Sequence, residues 1–203
     1  MTQIESGPAV IRIADGAELP APGRWQIDPG HTELAFIGRH FMLTKVRGRF
    51  TGLSGVIEVA EAPGDSTLAV TIDMASVESG NDARDEHLRS SDFFDVTHHP
   101  TATFSARAAG WQGTRGELAG ELTIRGVTRP VTVQAEYLGY TADPWGGHRI
   151  VFTAAGTSLL CATSSPRHAS TTGSSAAFLA AFPAASSTRA GPLLATPSVT
   201  PPA

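Results

Sequence analysis

The densest run of side chains able to do chemistry is Arg84-Asp85-x-His87-Leu88-x-Ser90-x-Asp92-Phe93-Phe94-Asp95. A histidine oriented by a carboxylate is a general base, so His87 with Asp85 would suit a hydrolase- or isomerase-like step on a small amphiphile. The spacing argues against that pairing, because residues two apart do not share a helical face. The same run reads equally as a capped helix whose charges pin a loop, and ion-pair networks of that kind are common. The structural reading is the stronger one, and the chain is expected not to be an enzyme. Seven histidines, His31, His40, His87, His98, His99, His148 and His168, raise metal binding. Two ligands on one strand face need a spacing of two, and on a helix three or four. No pair here has it, and the single Cys161 removes any cysteine-based zinc site. No metal and no cofactor are expected.

Other signatures are missing too. There is no Gly-rich phosphate loop, nucleophile elbow or dinucleotide fingerprint. The net charge is −4 with no basic run, which argues against nucleic acid as a partner. No apolar stretch approaches the roughly 20 residues of a membrane span, so no transmembrane anchor is expected. Met1 to Gly23 has neither a basic n-region nor an apolar h-region, and the expected location is the cytoplasm.

The elements that must position these residues follow a period of two. Leu34, Phe36, Gly38 and His40 alternate with Glu33, Ala35, Ile37 and Arg39, and Leu68, Val70, Ile72 and Met74 alternate with small polar residues. Further alternating runs are Ala102-Phe104-Ala106, Leu118-Gly120-Leu122-Ile124, Val131-Val133-Ala135-Tyr137 and Ile150-Phe152-Ala154, with a shorter strand over Gly55 to Val59. Ala62-Pro63-Gly64-Asp65, Gly110 to Gly113, Arg125 to Pro130 and Asp143 to Gly147 carry turn chemistry between them. Many short strands with hairpin-length links predict an all-β antiparallel sandwich or up-and-down barrel. One segment breaks the pattern. Asn81 is an N-cap candidate followed by acids in the first turn, which predicts a short helix near 81–90 across one end of the sheet.

A closed barrel of about eight strands is just wide enough to be filled by side chains or to hold one small ligand. Phe36, Phe41, Phe50, Phe93, Phe94, Phe104 and Phe152 supply an apolar interior, and Gly38 and Gly120 at inward positions remove volume from it. His40 falls on the apolar face with Leu34 and Phe36. There it is a core histidine or a contact for a ligand's polar head.

Composition divides the chain near residue 160. Of the 43 residues from 161 to 203, 33 are Ala, Ser, Thr, Pro or Gly, and Arg167 and Arg189 are its only Lys, Arg, Asp or Glu residues. Three parts are expected: a flexible lead-in over 1–23, a β domain over 24–160, and a disordered tail over 161–203.

The ordered motifs of the β domain resemble the YceI-like family, polyisoprenoid-binding proteins with a lipocalin-like barrel. The resemblance rests on Trp25-Gln-Ile27-Asp28-Pro-Gly-His31-Thr-Glu-Leu-Ala-Phe36 followed by His40, and on Gly48-Arg-Phe50-x4-Gly55. Its most specific stretch runs from Ser76 through Arg84-Asp85-Glu-His87-Leu88-Arg-Ser90-Ser-Asp92-Phe93-Phe94-Asp95 to Pro100 and Phe104. Gly116-Glu-Leu118 and Leu122-Thr-Ile124-Arg-Gly126-Val127-Thr128-Arg-Pro130-Val131 follow in order, so the match spans about 24–156. The resemblance implies an extended antiparallel barrel with an elongated apolar pocket. Its ligand would be an isoprenoid quinone, a polyprenyl chain or a fatty-acid-like amphiphile, held for carriage or sequestration. Related proteins are often dimeric, so a homodimer is an implied partner. The pocket lining expected is Phe36, Phe50, Ile72, Phe93, Phe104, Leu122, Ile124 and Val133, with His31 or His40 near the head group. Burial of each CH₂ is worth about 0.8 kcal/mol, so a long chain binds without ionic anchors.

The sequence departs from the family after Phe152-Thr153-Ala154. Family members continue with a polar turn, often Arg-Asp-Phe-Gly, and closing strands rich in Val, Ile and Glu. Here Ser158-Leu-Leu-Cys161-Ala162-Thr163-Ser164-Ser165 stands instead. Codon degeneracy lets Cys161-Ala162-Thr163-Ser164 encode Arg-Asp-Phe in a shifted frame. A frameshift would leave the barrel incomplete at its C-terminal strands, with an unpaired edge, and the product a damaged, non-functional variant.

Overall fold

The computed structural model describes residues 11–14, 16–40, 44–142, 148–161, 175–181 and 193–197, with the side chains of 39–40, 44–45, 142, 157–161 and both of the last two stretches outside the description. Fourteen strands and one α-helix are present among them. In chain order they are β1 (Ile11–Ala14), β2 (Ala17–Pro20), β3 (Gly23–Ile27), β4 (Leu34–His40), β5 (Thr44–Phe50), β6 (Leu53–Val59), β7 (Thr67–Asp73) and β8 (Val77–Glu78). Helix α1 (Asp82–Arg89) follows, then β9 (Thr101–Gln112), β10 (Arg115–Ile124), β11 (Val127–Ala142), β12 (His148–Cys161), β13 (Ser175–Ala181) and β14 (Leu193–Pro197). All recorded pairings are antiparallel.

The main sheet runs β11-β10-β9-β7-β6-β3-β14-β12-β13-β4-β5-β8, and β11 also pairs with β12. It curls so that alternate side chains of each long strand face a common interior, the half-barrel that the period-two pattern anticipates. The β10–β11 connection is a two-residue turn in which Arg125 and Gly126 have φ of 51° and 71°. Positive φ at both central positions matches the right-handed twist of the flanking strands, and glycine supplies one of them without strain. The connection is therefore narrower than the Arg125 to Pro130 stretch expected from sequence.

Two regions differ from the sequence expectation. The lead-in is not featureless: β1 and β2 form a hairpin in which Ile11 faces Pro20 and Ala14 faces Ala17. Leu19 anchors it, 4 % exposed, against Trp25, Tyr137 and Ile150. The Ala/Ser/Thr/Pro-rich segment is not unstructured throughout, since β13 and β14 lie within it. Ala-Ala-Phe-Leu-Ala-Ala and Leu-Leu-Ala are its most apolar stretches, which explains why these pieces join the sheet. β13 pairs with β12 over seven residues and with β4 at Leu179 and Ile37, and β14 meets β12 and β3 through three residue pairs each. The rest of 161–203 lies outside the described residues.

Three apolar clusters fill the interior. One joins Phe36, Phe50, Leu53, Ile72, Met74, Val77, Phe94 and Ala102 beneath α1. A second joins Leu19, Trp25, Tyr137 and Ile150 beneath the β1–β2 hairpin. A third, Val131, Val133, Ala135 and Ala154, is packed by Phe104, Trp111, Leu118 and Leu122.

Candidate functional site: an apolar cavity under the N-terminal hairpin

Strand β9 strings these regions together. Its inward positions pass from Ala102 in the cluster under α1, through Phe104, to Ala108 and Trp111 at the hairpin end. At ~3.3 Å per residue that path is roughly 30 Å long. Along it β9 itself buries only small inward side chains, Ala102, Ala106 and Ala108, and Phe104, Leu118, Leu122 and Phe152 are half-buried beside the buried Val131, Val133 and Tyr137. A filled core would bury the large residues first.

A cavity of about 80 Å³ lies at the hairpin end, several times what one water needs by the same measure. Leu19 and Pro20 of β2, Ile57 and Val59 of β6, Leu68 of β7 and Phe152 of β12 are among its walls. Trp111 and Tyr137 pack on Phe152 at ring separations of 6.4 and 5.3 Å. Arg12 of β1 is the one charged residue in the lining.

Among the described residues, none of those expected to line the pocket is in the wall of this cavity. Phe104, Leu122 and Val133 come closest. They are brought together in the third cluster, which shares Trp111, Leu118, Ala135 and Ala154 with the cavity wall. Phe36, Phe50 and Ile72 are gathered under α1, 4 %, 3 % and 4 % exposed, with Ile124 packed against them. The rings there pack at tilted angles, Phe36 to Phe50 at 5.3 Å and 37° and Phe50 to Phe94 at 5.6 Å and 59°. Phe94, not Phe93, is the buried aromatic of the adjacent pair, and Phe93 lies half-buried with its ring 4.9 Å from that of His87. His31 is exposed, its Nδ1–H donating to Asp28 Oδ2 at 2.9 Å. The His40 side chain lies outside the described residues.

The two glycines read as cavity formers have different roles. A Cβ on Gly120 would meet Ala106 Cα at 2.5 Å and collide with the Ser105 carbonyl, so this glycine lets β10 approach β9 closely. A Cβ on Gly38 would meet the Val46 carbonyl at 3.9 Å, an ordinary contact among the described residues. The walls of this cavity lie outside the expected set, and among them Arg12, Leu19 and Pro20 belong to a segment read as a lead-in. Their signal was Asp15-Gly16 between two short alternating runs, a strong hairpin dipeptide.

The charged helix segment is a structural latch. Asn81 caps α1 by accepting from the Arg84 N–H at 2.9 Å. Asp85, 6 % exposed, accepts from the Ser79 N–H at 2.8 Å and from the Ser79 hydroxyl. Arg84 donates to the Ser79 carbonyl, and Arg89 donates to the carbonyls of Ala75 and Val77, each at 2.7 to 2.8 Å. His87 points elsewhere, with Nε2 3.5 Å from the carboxylate of Asp92 on the exposed side. Asp85 and His87 are therefore not paired. The following loop is fixed by Asp95, whose carboxyl is held below its ordinary range, chiefly by the hydrogen bond from His98 at 2.9 Å. Among the described residues no three His, Cys, Asp or Glu side chains cluster as metal ligands. No helix among them is long and apolar enough to cross a membrane.

Comparison with known proteins agrees with this architecture. The UPF0312 protein of Pseudomonas aeruginosa is 38 % identical over 128 residues, 63 % of this chain and 67 % of that protein. Protein YceI of Shigella flexneri is 34 % identical over 149 residues, 73 % of this chain and 78 % of that protein. The crystal structure of the Campylobacter jejuni YceI protein superposes with a TM-score of 0.51 at 31 % identity, covering 61 % of this chain and 72 % of that one. A polyisoprenoid-binding domain from Saccharophagus degradans shares the fold, with a TM-score of 0.51 at 20 % identity over 70 % of this chain and 79 % of that one. The YceI-like domain family model matches residues 25–176, so the chain belongs to the YceI-like family.

Proposed function

We propose that this protein binds a long isoprenoid-type lipid, an isoprenoid quinone or a polyprenyl chain, in its barrel for carriage or sequestration and without catalysis. The carrying observation is the run of half-buried apolar side chains that leads from Phe104 and Leu122 into the cavity beneath the hairpin. Those surfaces cost free energy while exposed, and a chain lying on them recovers about 25 cal/mol for each Å² removed from water. The fold is one that the Saccharophagus domain uses for polyisoprenoid binding. The separation of Asp85 from His87 supports a binding role over an acid–base one.

Solvent extraction of the purified protein followed by mass spectrometry tests the reading. Co-purifying polyprenyl or quinone species are expected. A folded protein that carries no lipid and takes up none would sink it.

The short pairings of β14, three residues with β12 and three with β3, support a second reading, in which the segment after residue 160 stands in place of the family's closing strands through a frameshift. Binding would then be weakened. Sequencing the gene decides it: a shifted frame that encodes no Val- and Ile-rich strands counts against the idea.

A further inference from the structure

Arg12 is the one charged residue of the cavity lining, and its hydrogen bonding is unfinished. It reaches across from β1 and donates through Nη1 to the Glu61 carbonyl at 2.6 Å and to the Glu61 carboxylate at 3.1 Å. Its Nη2 donates to the Ala60 carbonyl at 2.8 Å. These bonds hold the guanidinium in one place. Of the donors left over, Nε–H is buried and has no partner among the described residues. A buried donor left unmade costs on the order of 1–3 kcal/mol and is rare unless something outside the chain completes it. Arg12 lines the cavity, as do Leu19 and Pro20 of the same hairpin. All three precede residue 25, where the family match begins. The hairpin is thus an addition to the shared domain, placed on the mouth of its apolar space.

We propose that the β1–β2 hairpin is a binding cap and that Arg12 Nε–H receives the acceptor oxygen of an amphiphile whose chain runs down the interior. The head is an uncharged carbonyl, as in a ketone, ester or quinone. Glu61 already matches the guanidinium charge at 3.1 Å, so a carboxylate head would bring a second negative charge to a neutralised site. The proposal rests on the lipid-binding reading and names the head that this site selects.

The test uses three probes of equal chain length, 2-hexadecanone, palmitate and hexadecane, delivered from cyclodextrin to the full chain and followed by displacement of a fluorescent apolar reporter. The ketone is expected to bind on the order of ten-fold tighter than hexadecane, the gain of one hydrogen bond to a charged donor. Arg12→Leu is expected to bind the ketone and hexadecane equally. Arg12→Lys keeps the charge facing Glu61 but lacks the Nε–H, and it too should lose the preference. A carbonyl-labelled ketone gives a second readout. Its infrared stretch should move to lower wavenumber in the wild type and not in Arg12→Lys, which keeps the test valid should Arg12→Leu fail to fold. Equal binding of ketone and hexadecane by the wild type, or a preference that survives Arg12→Lys, overturns the assignment while leaving the apolar cavity intact. Palmitate as the tightest probe overturns the uncharged head. Binding of none of the three removes the lipid-binding reading along with it.

Discussion

The Arg125 guanidinium donates to the carbonyl of Phe93 at 2.6 Å, tying the tip of the β10–β11 hairpin to the loop that follows α1. The same guanidinium stands 3.9 Å from the Asp95 carboxylate, and Arg125 and Asp95 both adopt positive φ, each 51°. Two strained backbones are thereby held by one contact across the closed end of the barrel. Arg125→Ala is expected to lower stability by about 1–3 kcal/mol, the cost of a charge-assisted hydrogen bond, with positive φ retained at a residue that tolerates it poorly. Arg125→Asn should recover part of that loss, because asparagine accepts positive φ in an Asn-Gly hairpin. Chemical denaturation of the two variants checks the order.

Phe94 and Phe93 should respond very differently to truncation. Phe94 is 5 % exposed and packs on Phe50, so Phe94→Ala is expected to cost about 3–5 kcal/mol. Phe93 is half-buried beside His87, and Phe93→Ala should cost about 1 kcal/mol. Equal losses in a thermal unfolding comparison would contradict the packing described for this end.

This pair also shows what the sequence could and could not say. The strands were legible because inward apolar residues alternate with outward polar ones, and β4 spans Leu34–His40 as the alternation indicates. The helix was legible because Asn81 and the acids after it cap and complement its N-terminus. Which of two adjacent phenylalanines turns inward depends on the loop conformation, set by Arg125 32 residues away in sequence. Long-range contacts of that kind leave no local periodicity. The expected lining differs from the walls of this cavity for a related reason. Phe36, Phe50 and Ile72 have the right phase, but phase reports only the face of a strand, and the position along the barrel where packing fails is decided by all the strands together. Gly120 carried a misleading signal, since glycine at an inward position serves close strand approach as readily as empty volume.

Asp28 links the first turn of the domain to β12. Burial works to raise its carboxyl, but the hydrogen bond with His31, the Gly30 N–H, the charge of His31 and the hydrogen bond from Arg149 together hold it below the ordinary value of 3.8. A depressed carboxyl stabilises the fold above its ordinary titration range and loses that contribution as the pH falls through it. The unfolding midpoint is therefore expected to fall below about pH 4, and Asp28→Asn should flatten that acid limb. An unchanged acid limb in the variant would show that other carboxylates govern it.

Tyr137 is 3 % exposed, and its hydroxyl has no hydrogen-bond partner among the described residues. Burial, with smaller contributions from Glu18 and Tyr140, pushes it up to about 12. A phenol with a raised folded value stabilises fully below its ordinary titration near 10, and that stability is lost as the pH rises towards 12. An ultraviolet titration should show a tyrosinate step near pH 12 that Tyr137→Phe removes. Because the hydroxyl is buried unpaired, Tyr137→Phe is also expected to be neutral or to stabilise by about 1 kcal/mol at pH 7.

Native mass spectrometry of the full chain incubated with a long-chain polyprenol tests the central claim most directly, with Leu118→Trp beside the wild type. Leu118 lines the cavity, and an indole there fills the space a chain would occupy. A one-to-one complex is predicted for the wild type, together with its loss in a Leu118→Trp protein that stays folded by circular dichroism. Wild-type protein that stays at its ligand-free mass, or Leu118→Trp binding as the wild type does, would contradict a lipid seated in this cavity.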